Sequence, residues 1–309
     1  MPLSSHSRRR SMLACAAAAA AGLALVGALP GSPAGDPRAT DATASTAVRA
    51  TEATVPPATG AALRERPPAV LRDVPYLGGR GPLLDVHRPA GAGGRRAAVI
   101  VVHGGAWSAG DKAAIGHVAR AVAAAGMVAI NVNYTLVAPG RPGYPRQTAE
   151  LAAAVAWVRA NAHRIGVDPD RIGALGSSAG GHLLALLATS RRSRLGALVT
   201  WSAPFDLGTQ RLRRRLRAKI AGYLGCSPCP RRAAAASPLT HAGAGDPPLL
   251  IVNSRRELIP ADQARRMAAR LRLAGAPRQL LLVPGRLHAP HYSPAVLDTS
   301  LEFLARRLR

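Results

Sequence analysis

The feature that most constrains the fold of this chain is a regular alternation, after Pro67, of short apolar runs with stretches of helical periodicity. The apolar runs read RRAAVIVVHGG, MVAINVNYTL, RIGALGSSAGG, LGALVTWSAP, PPLLIVNS and RQLLLVPG. They are β-branched or leucine-rich and close with Gly, Pro or Asn, which is typical of buried strands. Helical periodicity occupies the intervals 112–126, 147–165, 181–190 and 261–275. This alternation predicts an α/β fold with a mostly parallel sheet, helices on both faces and functional groups at the carboxyl ends of the strands.

The charge of the chain is strongly positive, at a formal +25 over 309 residues. A balance of this kind raises nucleic acid as a partner. Lys112 and Lys219 are the only lysines, however, and the other cations are arginines scattered through an alanine-rich sequence. The densest cluster, RLRRRLRAK, has no aromatic residues on which bases could stack. We therefore predict no nucleic-acid partner and interpret the cluster as a solvated helical face.

The amino-terminal residues have the anatomy of an export signal. Arginines at 8–10 precede an apolar run over 12–29, and Pro, Gly and Ser follow. The order resembles a twin-arginine signal that lacks the usual phenylalanine. We predict an export signal at 1–34 and a disordered linker at 35–68, and hence a secreted or cell-surface protein. An uncleaved anchor in the amino-terminal run is the alternative, and it is the one predicted contact with a membrane.

Two cysteines, Cys226 and Cys229, remain when the signal is set aside. Outside the cytoplasm an even pair favours a local disulfide. No further ligands at suitable spacing accompany them, so we predict no metal site.

Three predicted strand ends carry residues of hydrolytic chemistry. Ser178 is the centre of GSSAG, a G-x-S-x-G between a strand and a helix, where glycines permit a sharp turn that exposes the serine hydroxyl. Gly104 and Gly105 follow His103 after the first apolar run and offer backbone N–H groups that can approach an oxyanion closely. His288 follows the last run and is the candidate general base, with His291 as its competitor.

The serine comes first in the chain and the histidine last, and the order of serine, acid and histidine is that of the α/β-hydrolases. The chain resembles this family, in particular the esterase and lipase branch with an HGG oxyanion loop. It is similar to bacterial exported carboxylesterases near the feruloyl and acetyl esterases. The segments that carry the resemblance are LDVHRP, HGGAW, NYTL, DPDRIGALGSSAGGHL, ASPLTH, ELIPADQ and GRLHA. It implies an α/β-hydrolase domain over 69–309 with a small lid insert at about 205–246.

The resemblance also implies roles for individual residues. Ser178 would be the nucleophile and His288 the base, and the N–H groups of Gly104, Gly105 and Ala179 would form the oxyanion hole. No metal or organic cofactor is required by this chemistry, and the sequence has no motif for one. The implied partner is a small-molecule ester. Two aromatic residues, Trp107 and Tyr134, are candidates either for lining an acyl pocket or for packing at a strand end.

The catalytic acid is the point at which the sequence departs from the family. A D-x-x-[VI]-P pattern holds the acid in these enzymes, and here Arg256 occupies the place of the aspartate before Ile259 and Pro260. Glu257 is the first candidate substitute, because it is adjacent and one bulged residue would deliver its longer side chain.

Two other carboxylates are weaker candidates for the acid. Asp206 follows the preceding strand, and Asp262 is better suited to favour the start of a helix.

Two functions from different classes therefore stay open. The first is a secreted serine hydrolase that cleaves carboxylic esters of short acyl chains through an acyl-enzyme, with Ser178, His288 and Glu257 as its catalytic residues. The second is a protein of the same fold that has lost turnover, because of Arg256, and binds a ligand or partner. Retention of Ser178, His288 and the loop glycines together favours the first.

Overall fold

The apolar runs of the sequence form a mixed sheet in a computed structural model that describes residues 70–79, 81–91, 94–190 and 193–309. Within these residues the sheet has eight strands in the order β1-β2-β4-β3-β5-β6-β7-β8. Their bounds are β1 Val70–Pro75, β2 Leu83–His87, β3 Arg96–Val102, β4 Val128–Val132, β5 Val167–Ser177, β6 Ala197–Trp201, β7 Leu249–Ser254 and β8 Arg278–Val283. The six strands from β3 to β8 are the six apolar runs and pair in parallel. The α/β-hydrolase fold class with a mostly parallel sheet is confirmed.

The strands β1 and β2 were not predicted and form an antiparallel edge next to β4. β1 reads VLRDVP and is only partly buried, so it offers no continuous apolar run to detect. β2 is short and largely buried.

The helices lie on both faces of the sheet, as the alternation predicts. Their bounds are α1 Gly116–Ala124, α2 Arg146–Ala160, α3 Ala162–Ile165, α4 Ala179–Thr189, α5 Arg214–Leu224, α6 Pro230–Ala235, α7 Pro238–His241, α8 Ala261–Leu273 and α9 Leu297–Arg307. The predicted helix 112–126 starts with a 3₁₀ turn over Lys112–Ile115, and the predicted helix 147–165 is interrupted at Asn161.

Two apolar clusters hold the helices to the sheet. Alternate side chains of β3 point to opposite faces, as a pleated strand requires. Ile100 belongs to the cluster that includes residues of α2, α4 and α8, and Val101 belongs to the cluster that includes residues of α1 and α9. β3 is fully buried from Ala98 to Val102. The centre of the sheet is therefore a rigid support for the loops that leave the carboxyl ends of its strands.

The interval between β6 and β7, where the lid was predicted at about 205–246, contains α5, α6 and α7. α5 buries Leu216, Ile220 and Tyr223 on one side, while the arginines of the RLRRRLRAK cluster are exposed. Cys226 and Cys229 are joined in a disulfide just after α5, with their Cα atoms 5.8 Å apart.

The described residues fall within a unit that spans Arg64–Arg309. The predicted export signal at 1–34 and linker at 35–68 lie outside the described residues, as does the anchor alternative. No helix in the described part of the chain is long and apolar enough to cross a membrane.

Candidate active site

Ser178 lies at the turn between β5 and α4, in a backbone conformation that L residues rarely adopt, with φ 51° and ψ −115°. Its N–H donates to the carbonyl of Trp201 at 2.7 Å, which ties the turn to β6. Gly180 is required by close packing, since a Cβ there would lie 2.4 Å from the carbonyl oxygen of His103. The G-x-S-x-G thus forms a strained elbow between strand and helix.

His288 approaches the serine from the loop that follows β8. Its Nε2 lies 2.9 Å from the Oγ of Ser178. His291, the competing histidine, is exposed, and its N–H donates to the carbonyl of His288 at 3.0 Å. The structure therefore brings His288 to Ser178.

Glu257 completes the group, since its Oε2 accepts a hydrogen bond from Nδ1 of His288. A carboxylate only accepts, so the proton resides on Nδ1 and leaves Nε2 free to accept from the hydroxyl of Ser178. The carboxyl side chain is fully buried, and its other oxygen accepts from the N–H of Ser254 at 2.9 Å and the hydroxyl of Ser202 at 2.7 Å.

The turn at Arg255 and Arg256 is what delivers Glu257 to the histidine. The N–H of Arg255 donates to Val283 at 3.0 Å and that of Arg256 to Gly285 at 3.2 Å, so both residues continue the pairing with β8. Both arginines are exposed. Arg256 therefore holds the expected sequence position of the acid but not its place in space.

The two other candidate acids are engaged elsewhere. Asp206 pairs with Arg266 at 2.7 Å and accepts from the N–H of Gly208 at 3.0 Å. Asp262, in the first turn of α8, lies 3.5 Å from Arg211.

Two residues behind the carboxylate were missed by the sequence analysis. The hydroxyl of Ser202, which donates to Glu257, lies 2.8 Å from the hydroxyl of Tyr292. Burial raises the pKa of Tyr292 far above its ordinary value, so the phenol stays protonated. Because the single hydroxyl proton of Ser202 is donated to Glu257, the phenol is the donor available to Ser202, and the carbonyl of Val252 is a second acceptor at 3.2 Å. Ser202 follows β6 in the segment WSAP, but no local signal connects it with Tyr292, which lies 90 positions further along.

The oxyanion loop after β3 is held in shape by its own histidine. Gly105 has φ 116°, and a Cβ there would lie 2.0 Å from the carbonyl oxygen of Ala109, so only glycine fits. Burial lowers the pKa of His103, and the neutral ring donates from Nδ1 to the carbonyl of Gly104 at 2.7 Å. The same peptide unit carries the N–H of Gly105, so its direction is fixed as well.

The two aromatic candidates have different places. Tyr134 stacks on His103 with ring centroids 4.5 Å apart and supports the loop from behind; it does not line the cavity that contains Ser178. Trp107 does line that cavity, but its indole N–H donates to Nδ1 of His182 at 3.1 Å. Tyr134 therefore packs behind the loop, and Trp107 both lines the cavity and packs in the interior.

The cavity at Ser178 has a volume of about 490 Å³. Gly104, Gly105 and Ala179, the predicted oxyanion residues, line it together with Ser178 and His288. Its size is within the range of small-molecule sites. Among the described residues no cluster of three or more His, Cys, Asp or Glu is arranged to hold a metal ion.

His182 is a fully buried histidine that connects three parts of the site. Its Nδ1 accepts from Trp107 of the oxyanion loop, and its Nε2–H donates to the carbonyl of Ala236 at 2.8 Å. An indole N–H is only a donor, so the imidazole is neutral. Burial lowers its pKa to about 4 from 6.5.

The buried His182 predicts acid sensitivity of the fold. Because the pKa of His182 is lower in the folded chain, the unfolded chain binds a proton on this ring at a higher pH than the folded chain does. The contribution of the neutral His182 to stability is therefore complete above pH 6.5 and is lost as the pH falls towards 4. Between pH 7.5 and 5 we expect a loss of about 2 kcal/mol in the free energy of unfolding. Urea unfolding of the parent and of His182→Asn measures it, and an equal pH slope in both would contradict the assignment.

Comparisons with known proteins agree with this geometry. The BD-FAE family model matches residues 84–271, more than half of the chain. Esterase LipQ of Mycobacterium tuberculosis is 31% identical over 225 residues, which are 66% of this chain and 53% of LipQ. A truncated carbohydrate esterase from gut microbiota has the same fold, with a TM-score of 0.69, 24% identity and coverage of 77% of this chain and 95% of that one. Thermogutta terrifontis esterase Est2 with bound propionate has a TM-score of 0.64, 25% identity and coverage of 77% and 94%.

The chain therefore belongs to the BD-FAE family and has the α/β-hydrolase fold of esterases. It spans about half the length of the curated relative LipQ.

Proposed function

We propose that this protein is a serine hydrolase that cleaves carboxylic esters of short acyl chains through an acyl-enzyme. The observation that carries the proposal is the continuous hydrogen-bonded line from the Oγ of Ser178 through both ring nitrogens of His288 to the buried carboxylate of Glu257. A binding protein has no chemical need for this arrangement. The similarity to LipQ and Est2, which are both named as esterases, supports the same class of reaction.

Each residue of the line has a defined task in the proposed reaction. As the Oγ of Ser178 attacks the ester carbonyl, His288 accepts its proton on Nε2 and Glu257 stabilises the imidazolium that results. The N–H groups of Gly105 and Ala179, with that of Gly104, stabilise the oxyanion, at about 3 kcal/mol for each donor. When the tetrahedral intermediate breaks down, the alcohol leaves with the proton that His288 carries, and Ser178 is left acylated. Water then attacks the acyl-enzyme with His288 again as the base, and the carboxylic acid leaves as Ser178 regains its proton.

The proposed preference for short acyl chains is supported by a structural neighbour. Est2, which covers 77% of this chain, is described with propionate bound.

We also propose that the chain is exported. The support is the order of the amino-terminal sequence, with arginines at 8–10, an apolar run over 12–29 and then Pro, Gly and Ser.

A chain-length series tests the proposed activity. Under the proposed preference for short acyl chains, the purified full chain is expected to hydrolyse p-nitrophenyl acetate, butyrate and hexanoate with higher kcat/KM than decanoate. The release of p-nitrophenolate measures the rate, and a burst of one equivalent before the steady state would report the acyl-enzyme. Rates equal to the background for every ester would contradict the proposal.

A further inference from the structure

Among the residues that the structure describes, the cavity at Ser178 has one cationic side chain in a mostly apolar wall. Its apolar lining comes from Trp107, Ile115, Pro204, Leu216, Leu258 and Ile259. No Asp or Glu of this part of the chain lines it. Apart from two histidines, the titratable lining residue is Lys219 of α5. The chain has only two lysines, so an ammonium at this point is not part of a general lysine-rich surface.

Within the described residues, no carboxylate oxygen lies within 4.0 Å of the Nζ of Lys219. Its Nζ lies 3.2 Å from the hydroxyl of Ser108 in the oxyanion loop, and it is exposed. The other lysine differs, because Lys112 is buried and pairs with Asp73 at 2.7 Å and Asp85 at 2.8 Å. An ammonium has three donors, so Lys219 retains two for a further acceptor.

The position of Lys219 on α5 separates it from the neighbouring arginines. Leu216 and Lys219 lie three residues apart, on the helix side that lines the cavity. Arg217 lines a different cavity of about 530 Å³, which also contains the disulfide of Cys226 and Cys229. Arg215 is exposed and lines neither. Of the cations of this cluster, Lys219 is the one presented to the cavity at Ser178.

We propose that Lys219 selects esters that carry a second, ionised carboxylate separated from the ester by an apolar spacer. This inference rests on the proposed esterase function and names its substrate class. The apolar wall contacts the spacer, while the free ammonium binds the carboxylate without displacing a protein carboxylate. The formal charge of +25 attracts such anions to the protein as a whole, but only a contact inside the cavity discriminates between two bound esters.

The test compares two matched pairs of esters on the full chain. p-Nitrophenyl hexanoate and p-nitrophenyl hydrogen adipate differ by a terminal carboxylate on the acyl side. Phenyl hexanoate and 4-carboxyphenyl hexanoate differ in the same way on the alcohol side. For each enzyme the ratio of kcat/KM for the anionic ester to that for the neutral ester is measured, and comparison between variants removes the intrinsic reactivity of the esters.

The variants are Lys219→Gln, Lys219→Arg and the matched control Arg215→Gln, which removes one charge from the same helix outside the cavity. In one of the two pairs of esters, we expect Lys219→Gln to lower the ratio of kcat/KM for the anionic ester to that for the neutral ester about fivefold, the effect of a single partly exposed ion pair. Lys219→Arg and Arg215→Gln are expected to retain this ratio. Ser108→Ala keeps the ammonium and is expected to retain the ratio as well.

Three results would separate the possible failures. Unchanged ratios in Lys219→Gln for both pairs, with hydrolysis of the neutral esters intact, would overturn the selection by Lys219 alone. An equal fall in Arg215→Gln would overturn it in favour of a long-range effect of charge. Parent rates no higher than those of Ser178→Ala for all four esters would overturn both the proposed function and this inference.

Discussion

Replacement of Ser178 by alanine is expected to lower kcat for p-nitrophenyl butyrate by about 10⁶-fold, the loss seen when a hydrolase of this type loses its nucleophile. The reason is that the Oγ of Ser178, 2.9 Å from Nε2 of His288, is the atom that attacks the ester. His288→Ala should cost nearly as much, and the double variant should cost no more than either, because the two residues act as a unit. Steady-state kinetics with the full chain measure all three.

The fold is expected to survive these changes. Ser178 adopts a strained conformation with φ 51°, so its replacement removes no stabilising backbone geometry. Circular dichroism and urea unfolding of the Ser178→Ala variant provide the control. Retention of more than about a hundredth of the parent rate in a folded variant would show that another residue attacks the ester.

Replacement of Glu257 by glutamine has the second largest expected effect, a fall in kcat of about 10⁴-fold. Glutamine keeps the volume of the side chain, but its amide can donate to Nδ1 of His288 and thereby stabilise the wrong tautomer, and it no longer balances the imidazolium. The hydrogen bonds from Ser202 and Ser254 hold the present carboxylate in place, so Glu257→Asp should also lose much of the rate.

The matched control for this prediction is Arg256→Gln, the neighbouring residue that occupies the usual sequence position of the acid. Because Arg256 is exposed, kcat should change by less than about twofold. Asp206→Asn should likewise leave kcat near the parent value, since Asp206 pairs with Arg266. A loss in Asp206→Asn that matches the loss in Glu257→Gln would move the role of the acid to Asp206.

The parts of the site that could be predicted from the sequence are those fixed by a few neighbouring residues. The elbow at Ser178 depends on glycines within two positions of it, and the HGG loop on three consecutive residues. The parallel strands could be predicted because each is an almost continuous apolar run. β1 could not, because it lies at the edge of the sheet and is only partly buried.

The rest of the site depends on contacts between distant segments. The direction of Glu257 is set by the pairing of Arg255 and Arg256 with the end of β8, about 30 residues later in the chain. The sequence alone left the acid open among Glu257, Asp206, Asp262 and none. The Ser202 and Tyr292 pair joins loops 90 residues apart. Tertiary register, and not local pattern, decides such contacts.

The most direct test of Ser178 as the activated nucleophile is covalent labelling of the full chain with an aryl phosphonate ester, which phosphonylates activated serines. We expect one equivalent of label on the peptide that contains Ser178, loss of p-nitrophenyl butyrate hydrolysis in proportion to labelling, and much slower labelling of His288→Ala. Full labelling at Ser178 with hydrolysis unchanged, or activity lost through label at another residue, would contradict this role of Ser178.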